Sequence, residues 1–294
     1  MTMGQYHLAV IGDIHSNHIG LEKCISHALK ERADEFLFLG DYISDYPYPQ
    51  KTMEIIYRMK KEYRCSFIRG NREDYMLEHR KNLREGKEDN WVYNSSSGNL
   101  LYTYENLTER DLNFFENMDI KGIYCKEGYP TFRYCHGSLT RSNELLLPEN
   151  PAMESIMEKL DVNLLLSGHT HIQEKKIYGE KTLIHPGAVG VSWYHEGKSQ
   201  YMMLHGSSKG WEEELFQLDY DKAEAEKEFE TSGLLEKAPY WAKNVIYTMK
   251  TGNDYSVPCM ELAKKMCIEE KGSVSWPDIP EEYWKKAAQH YGIV

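Results

Sequence analysis

Four short apolar runs, YHLAVIG at 6–12, FLFLG at 36–40, CSFIRG at 65–70 and NLLLSG at 163–168, each end on glycine, and little polar alternation interrupts them. A strand that is apolar on both faces needs cover on both faces, the condition of an inner strand in a sheet flanked by helices. Helical spacing fills the gaps. Leu21, Ile25 and Ala28 recur after the first run, Ile56, Met59 and Tyr63 before the third, and Met153, Ile156, Met157 and Leu160 follow an Asn150-Pro151 cap-and-start signal. Strand and helix in alternation predict right-handed βαβ units.

From about residue 120 the pattern changes. IKGIYC, TFRYCHG, KKIYGEKTLIHPG, SQYMMLHG and WEEELFQLDY read as strand pairs with turn residues between them, and predict a second, more antiparallel sheet. Two mixed sheets packed face to face with helices outside make a four-layer α/β/β/α sandwich, and no fixed-period repeat points to a solenoid. We expect this domain over 1–220. Within it, about 80–119 is a polar, Tyr-rich insertion with a Thr108-x-x-Asp111 helix start, placed where a lid could sit. Residues 221–294 are charged and helically periodic. Met260, Ala263, Met266 and Cys267 share one face and Trp284, Ala287, Ala288 and Tyr291 another, so a helical C-terminal extension is expected, its Met-rich face serving as core or as a subunit interface.

Each apolar run leads into a polar turn: Asp13-Ile14-His15, Gly40-Asp41, Gly70-Asn71, His136-Gly137 and Gly168-His169-Thr170-His171. In open α/β sheets the crevice beyond the carboxyl ends of the strands is where ligands bind. Residues i and i+2 of a strand point the same way, so Asp13 with His15, and His169 with His171, form two convergent pairs. Oxygen and nitrogen donors gathered there suit two divalent metals about 3.5–4 Å apart, and Asp41 has two oxygens for bridging them. Two dications outweigh the carboxylates of Asp13 and Asp41 and a hydroxide, leaving a positive cleft that attracts phosphate. Such ions acidify water to give a nucleophile and polarise phosphoryl oxygens, so no covalent side-chain nucleophile is required.

Taken in order, DIH, GDY, GNRE, CHG and GHTH resemble the motif series of the calcineurin-like metallophosphoesterase superfamily, and the resemblance covers roughly 6–190. The PGAVG at 186–190 is similar to the PGS-type turn of its smaller bacterial phosphodiesterases. The resemblance implies that Asp13, His15 and His171 hold one metal, that Asp41 bridges, and that Asn71, His136 and His169 hold the other. The mixed donor set suits Mn, Fe, Zn, Co or Ni, with Mn favoured. One departure stands out: the family commonly carries His after GN, to protonate the leaving group, and this chain has Arg72. Arginine cannot give up its proton but can fork onto phosphate oxygens. Diesters or phosphoanhydrides, with better leaving groups, are therefore expected above alkyl monoesters. His18 and His185 are candidates for the missing acid, and Asn17 either caps the following helix or touches substrate. His7, His27, His79, His195, His205 and His290 read as packing or surface residues.

The chain carries 35 Lys plus Arg against 46 Asp plus Glu, a net charge of −11. Such a surface repels nucleic acid, which makes a nuclease an unfavoured reading, and no run of about 20 apolar residues predicts a membrane span. MTMGQYHLAVIGD has no basic n-region ahead of a long apolar core, and the six cysteines contain no CxxC pair. Together these predict a cytoplasmic protein with reduced thiols. The expected partner is a small phosphorylated substrate, a nucleotide among the candidates, with self-association left open. Two alternatives stay beside this reading: a protein serine/threonine phosphatase, and a non-catalytic scaffold that uses the fold to bind a protein partner.

Overall fold

The computed structural model describes residues 6–87, 90–147 and 149–294. Its strands are β1 (Tyr6–Ile11), β2 (Glu35–Phe38), β3 (Cys65–Phe67), β4 (Lys121–Tyr124), β5 (Phe132–Cys135), β6 (Leu164–Ser167), β7 (Glu174–Tyr178), β8 (Lys181–His185), β9 (Ser199–Ser207) and β10 (Gly210–Leu218). They form two five-stranded sheets, ordered β10-β9-β1-β2-β3 and β4-β5-β6-β8-β7. The helices within and between them are α1 (His18–Lys30), α2 (Pro49–Glu62), α3 (Asn71–Arg84), α4 (Gly98–Glu105), α5 (Glu109–Glu116) and α6 (Met153–Glu158).

Alternate residues of β1 serve two different cores, which explains its continuous apolar run. Leu8 and Val10 pack between the sheets with Leu37, Phe132, Leu166 and Ile184. Ala9 and Ile11 pack on the other face with Leu21, Ile25 and Ala28 of α1 and Ile56 and Met59 of α2. Beyond the second sheet, Met153 and Met157 of α6 cover Cys135, Leu165 and Leu183. Helix, sheet, sheet and helix are thus the four expected layers. Both sheets are mixed: β1 runs parallel to β2 and antiparallel to β9, and β6 runs parallel to β5 and β8 while β4 and β7 pair antiparallel at the edges.

The second sheet holds fewer of the late strands than the sequence pattern implies. β9 and β10 pair with each other but return to the first sheet, where β9 lies against β1 with Leu8 opposite Leu204. The reason is visible in β9 itself. Met202 and Leu204 enter the core between the sheets while Tyr201 and Met203 enter the α1 side, so this strand also requires an inner position. The Asn150-Pro151 start is likewise displaced: the Asn150 side chain accepts from the Ala152 amide at 3.0 Å, and α6 begins at Met153.

The extension is helical, with α7 (Lys222–Thr231), α8 (Leu234–Lys237), α9 (Pro239–Thr251), α10 (Ser256–Lys271) and α11 (Glu281–His290). The two apolar faces read from the sequence meet each other: Ala263 and Cys267 of α10 bury against Trp284, Ala287 and Ala288 of α11, with Met260 and Met266 beside them. The insertion supplies α4 and α5, and Thr108 caps α5 through a reciprocal box with Asp111. Insertion and extension are stitched together. Asn94 donates to the Pro277 carbonyl at 2.9 Å, the Ser95 amide to Glu281 at 2.6 Å, and the Trp284 indole to Ser96 at 3.2 Å.

Candidate metal centre

All seven expected ligands fall on turns or helix starts at the carboxyl ends of strands, and the backbone there is unusual. Asp13, His15, Asp41, His169 and His171 have φ between 50° and 75°, a region that residues with a Cβ avoid. This curling lets consecutive peptides aim several side chains into one volume. Glycine does the complementary work at Gly40 and Gly70. A Cβ on Gly40, which has φ +93°, would lie 2.5 Å from the Gly70 nitrogen, and one on Gly70 would lie 2.1 Å from an Asp41 oxygen. The two turns therefore touch, which brings Asp41 next to Asn71.

Glu73 locks that contact. Its buried carboxylate accepts from the amides of Gly70 at 2.7 Å, Asp41 at 2.9 Å and Tyr42 at 2.8 Å. The Arg72 amide donates in turn to Asp41 at 2.9 Å, and across the cleft the His169 amide donates to Asp13 at 2.9 Å.

Donor atoms of Asp13, His15, Asp41 and His171 lie within 4.8 Å of one another, and those of Asp41, His136 and His169 do the same. Asp41 belongs to both groups. Asn71 joins the second, its Oδ1 lying 3.0 Å from His136 Nε2. His15 Nε2 and His171 Nε2 face each other at 2.9 Å, and Asp13 Oδ2 is buried without a hydrogen-bond partner. Carboxylates and imidazoles stripped of water and aimed at one another are a donor set that fits divalent transition metals.

Two of the imidazoles are oriented through Nδ1. His136 Nδ1 donates to the Leu39 carbonyl at 2.8 Å, and His15 Nδ1 lies 2.7 Å from Asp45 Oδ2, so each ring keeps Nε2 for the cluster. Electrostatics sort the four imidazoles. Burial opposes charge on His136, but Asp41 and Asp13 outweigh it and push its pKa up to about 9. Burial likewise opposes His15, which Asp45 and Asp41 raise. Burial, reinforced by the neighbouring imidazoles, lowers His169 to about 4 and keeps His171 well below its ordinary value. Burial alone would raise Asp41, yet His136 and His15 hold it well below the carboxylate range. Burial does raise Asp13, to about 6.

Residues 6–173, more than half of the chain, match the calcineurin-like phosphoesterase model. The chain belongs to that family. Among solved structures it is similar to a hypothetical protein from Pyrococcus horikoshii OT3, at 21% identity and a TM-score of 0.69, covering 85% of this chain and 99% of the other. It is also similar to a metallophosphoesterase from Sphaerobacter thermophilus, at 18% identity and a TM-score of 0.61, covering 80% and 98%. These likenesses show a shared fold. No curated protein matches the chain.

In this calcineurin-like chain the remaining singled-out residues have varied surroundings. Asn17 caps α1 by accepting from the Gly20 amide at 2.9 Å, and donates to the Val189 carbonyl at 3.1 Å. His18 turns to Glu228 of α7 at 2.9 Å. His185 is buried with Nε2 3.6 Å from Asp13, and burial together with His136 lowers its pKa to about 3. Arg72 reaches Asp45 at 3.2 Å and lies 5.9 Å from the Trp241 ring, while its Nε is buried without a partner.

Asp45 is the residue that sequence reasoning missed. It faces His15 and Arg72, accepts from the Trp241 indole of α9 at 2.6 Å, and its amide donates to Asn99 of α4 at 2.9 Å. Burial would raise its pKa, but Arg72 and His15 hold it well below the carboxylate range. Its only sequence signal is its place four residues past Asp41, in a turn. Beside Arg72, Asn71 and His169 opens a cavity of about 560 Å³, walled by α3, the insertion and the extension.

Proposed function

We propose that this chain is a dinuclear-metal phosphoesterase that cleaves phosphodiester or phosphoanhydride bonds. One observation carries the reading: seven side chains from five separated turns converge as two donor groups that share the Asp41 carboxylate. Asp13, His15 and His171 would hold one ion and Asn71, His136 and His169 the other, with Asp41 shared between the two groups and Mn favoured. Bound there, the ions supply Lewis acidity toward phosphoryl oxygens and an acidified water as nucleophile.

The chain's own groups do the rest. Arg72 keeps its charge through the pH range, and its unpartnered Nε–H beside the cluster can donate to a phosphate oxygen, with the Asp45 contact holding the guanidinium in place. His136, whose Nδ1 donates to the Leu39 carbonyl, and His15, whose Nδ1 lies beside Asp45, would turn Nε2 toward the ions. Arg72 offers no proton to the leaving group, and His18 is engaged with Glu228. Esters that leave readily are therefore the substrates, rather than alkyl monoesters. His185 is kept uncharged by burial and its Nε2 accepts from the Thr170 amide at 3.2 Å, so it offers no proton either, and the pH–rate profile of His185→Ala should match that of wild type. Among the described residues no helix is long and apolar enough to cross a membrane, and the six free cysteines support a reducing, cytoplasmic setting.

The test is metal content together with turnover. Wild type should bind about two transition ions per chain and hydrolyse bis-p-nitrophenyl phosphate when supplied with Mn. Asp41→Asn should lose at least one ion and roughly 10³-fold in kcat. Protein that folds, takes up no metal and hydrolyses no phosphoester would instead support the scaffold reading.

A further inference from the structure

The cavity beside the cluster is not needed to hold metal, and most of its wall comes from segments beyond the motif turns. Glu78, His79 and Asn82 of α3 form one side, Trp91 of the insertion forms another, and Trp241 and Trp276 of the extension close it. Its inner end is Asn71, Arg72 and His169, three residues of the site itself. A volume of about 560 Å³ lies within the usual span of small-molecule sites.

The character of the wall changes along its length. At the inner end stand the cluster and Arg72, the one cation lining the cavity among the described residues. Farther out the wall is aromatic and apolar. Trp91 stacks on His79 with ring centroids 4.2 Å apart and 6° between planes, so the tryptophan is fixed as a flat surface. Trp241 is held by its bond to Asp45. At the periphery Val257 is 55% exposed and Trp276 43%, so the apolar wall continues to the cavity mouth. Glu78 sits in the same wall, unfavourable to a second phosphate.

From this gradient, and resting on the phosphoesterase reading, we propose that the cavity binds the organic part of the substrate, and that this part is one uncharged, flat ring system of nucleoside size attached to the phosphate. Fixed indole faces reward a planar π-system by stacking, and Asn82, Asn99 and Ser96 offer donors and acceptors to its edges. A polyphosphate tail would lie against Glu78 with no cation to meet it. An extended nucleic acid would need a basic track, which neither this wall nor the net charge of −11 provides.

The experiment measures binding and turnover separately on Mn-loaded full-length protein. By calorimetry, adenosine 5′-monophosphate should bind roughly tenfold or more tightly than ribose 5-phosphate, and inorganic pyrophosphate should gain nothing over phosphate. In turnover, the p-nitrophenyl ester of thymidine 5′-monophosphate should exceed methyl p-nitrophenyl phosphate in kcat/KM by a similar factor. Trp91→Ala should collapse both ratios toward one. Because that change could loosen the fold, Val257→Trp, at an exposed position, is the second variant, and it should collapse the ratios by filling the cavity. Equal binding of the two monophosphates, stronger binding of pyrophosphate, or ratios untouched in both variants would overturn the proposal while ester hydrolysis persists. A protein that hydrolyses no ester yet still prefers adenosine 5′-monophosphate would keep the cavity assignment and sink the hydrolase reading.

Discussion

The cleft has two walls made by different means. One is the set of strand-end turns, where the candidate ligands sit on curled, costly backbone and are fixed by backbone-amide bonds such as those to Glu73. The other is the helical wall of insertion and extension, ordinary in its backbone and held by side-chain contacts between residues nearly two hundred positions apart, such as Trp284 with Ser96 and Ser95 with Glu281. The first wall can bring reactive groups to one point whatever lies opposite. The two walls meet at Asp45, which accepts from the Trp241 indole and faces His15, and at Arg72, which lies 5.9 Å from the Trp241 ring.

That contrast can be strained in stages. The largest effect is expected from Trp284→Ala, which hollows the fully buried α10–α11 core and should cost about 3–5 kcal/mol in urea unfolding. A loss under 1 kcal/mol would show that the helical wall does not depend on that packing. Next comes Asp45→Asn, which keeps the shape but removes the charge facing His15 and Arg72. Metal affinity should fall roughly 10–100-fold, read by competition with a chelator. Unchanged affinity would make the walls fully independent. The smallest is Glu228→Gln, at the pairing of α7 with His18 and Lys51, expected to cost about 1 kcal/mol at neutral pH. Burial would raise this carboxyl, but His18 and Lys51 lower it, so its contribution is complete above the ordinary glutamate range and disappears as pH falls through the lowered folded value. The stability gap between wild type and variant should accordingly close on acidification. A gap that widened would refute the assigned pairing.

The same contrast explains what could be read from sequence. Asp13, His15, His169 and His171 announce themselves because each pair directly follows an apolar strand run, although the strands end at Ile11 and Ser167 and left-handed turns rather than strand alternation make the pairs converge; the apolar faces of α10 and α11 were legible from helical spacing. β9 misled because its strand pattern states that it is buried on both faces but not which sheet buries it. Asp45 stayed hidden because nothing near it in sequence says that Trp241 and Asn99 will arrive beside it. The cavity was illegible for the same reason: its three tryptophans lie at positions 91, 241 and 276 and share no period.

The touching of Gly40 and Gly70 has one more consequence. With main chain pressed against main chain beneath Asp41 and Asn71, the separation of those two residues is gauged by peptide geometry, and in the proposed dinuclear centre the swap of a nearby side chain would leave it unchanged. Exchanging one transition ion for another should thus alter Lewis acidity while the socket keeps its dimensions.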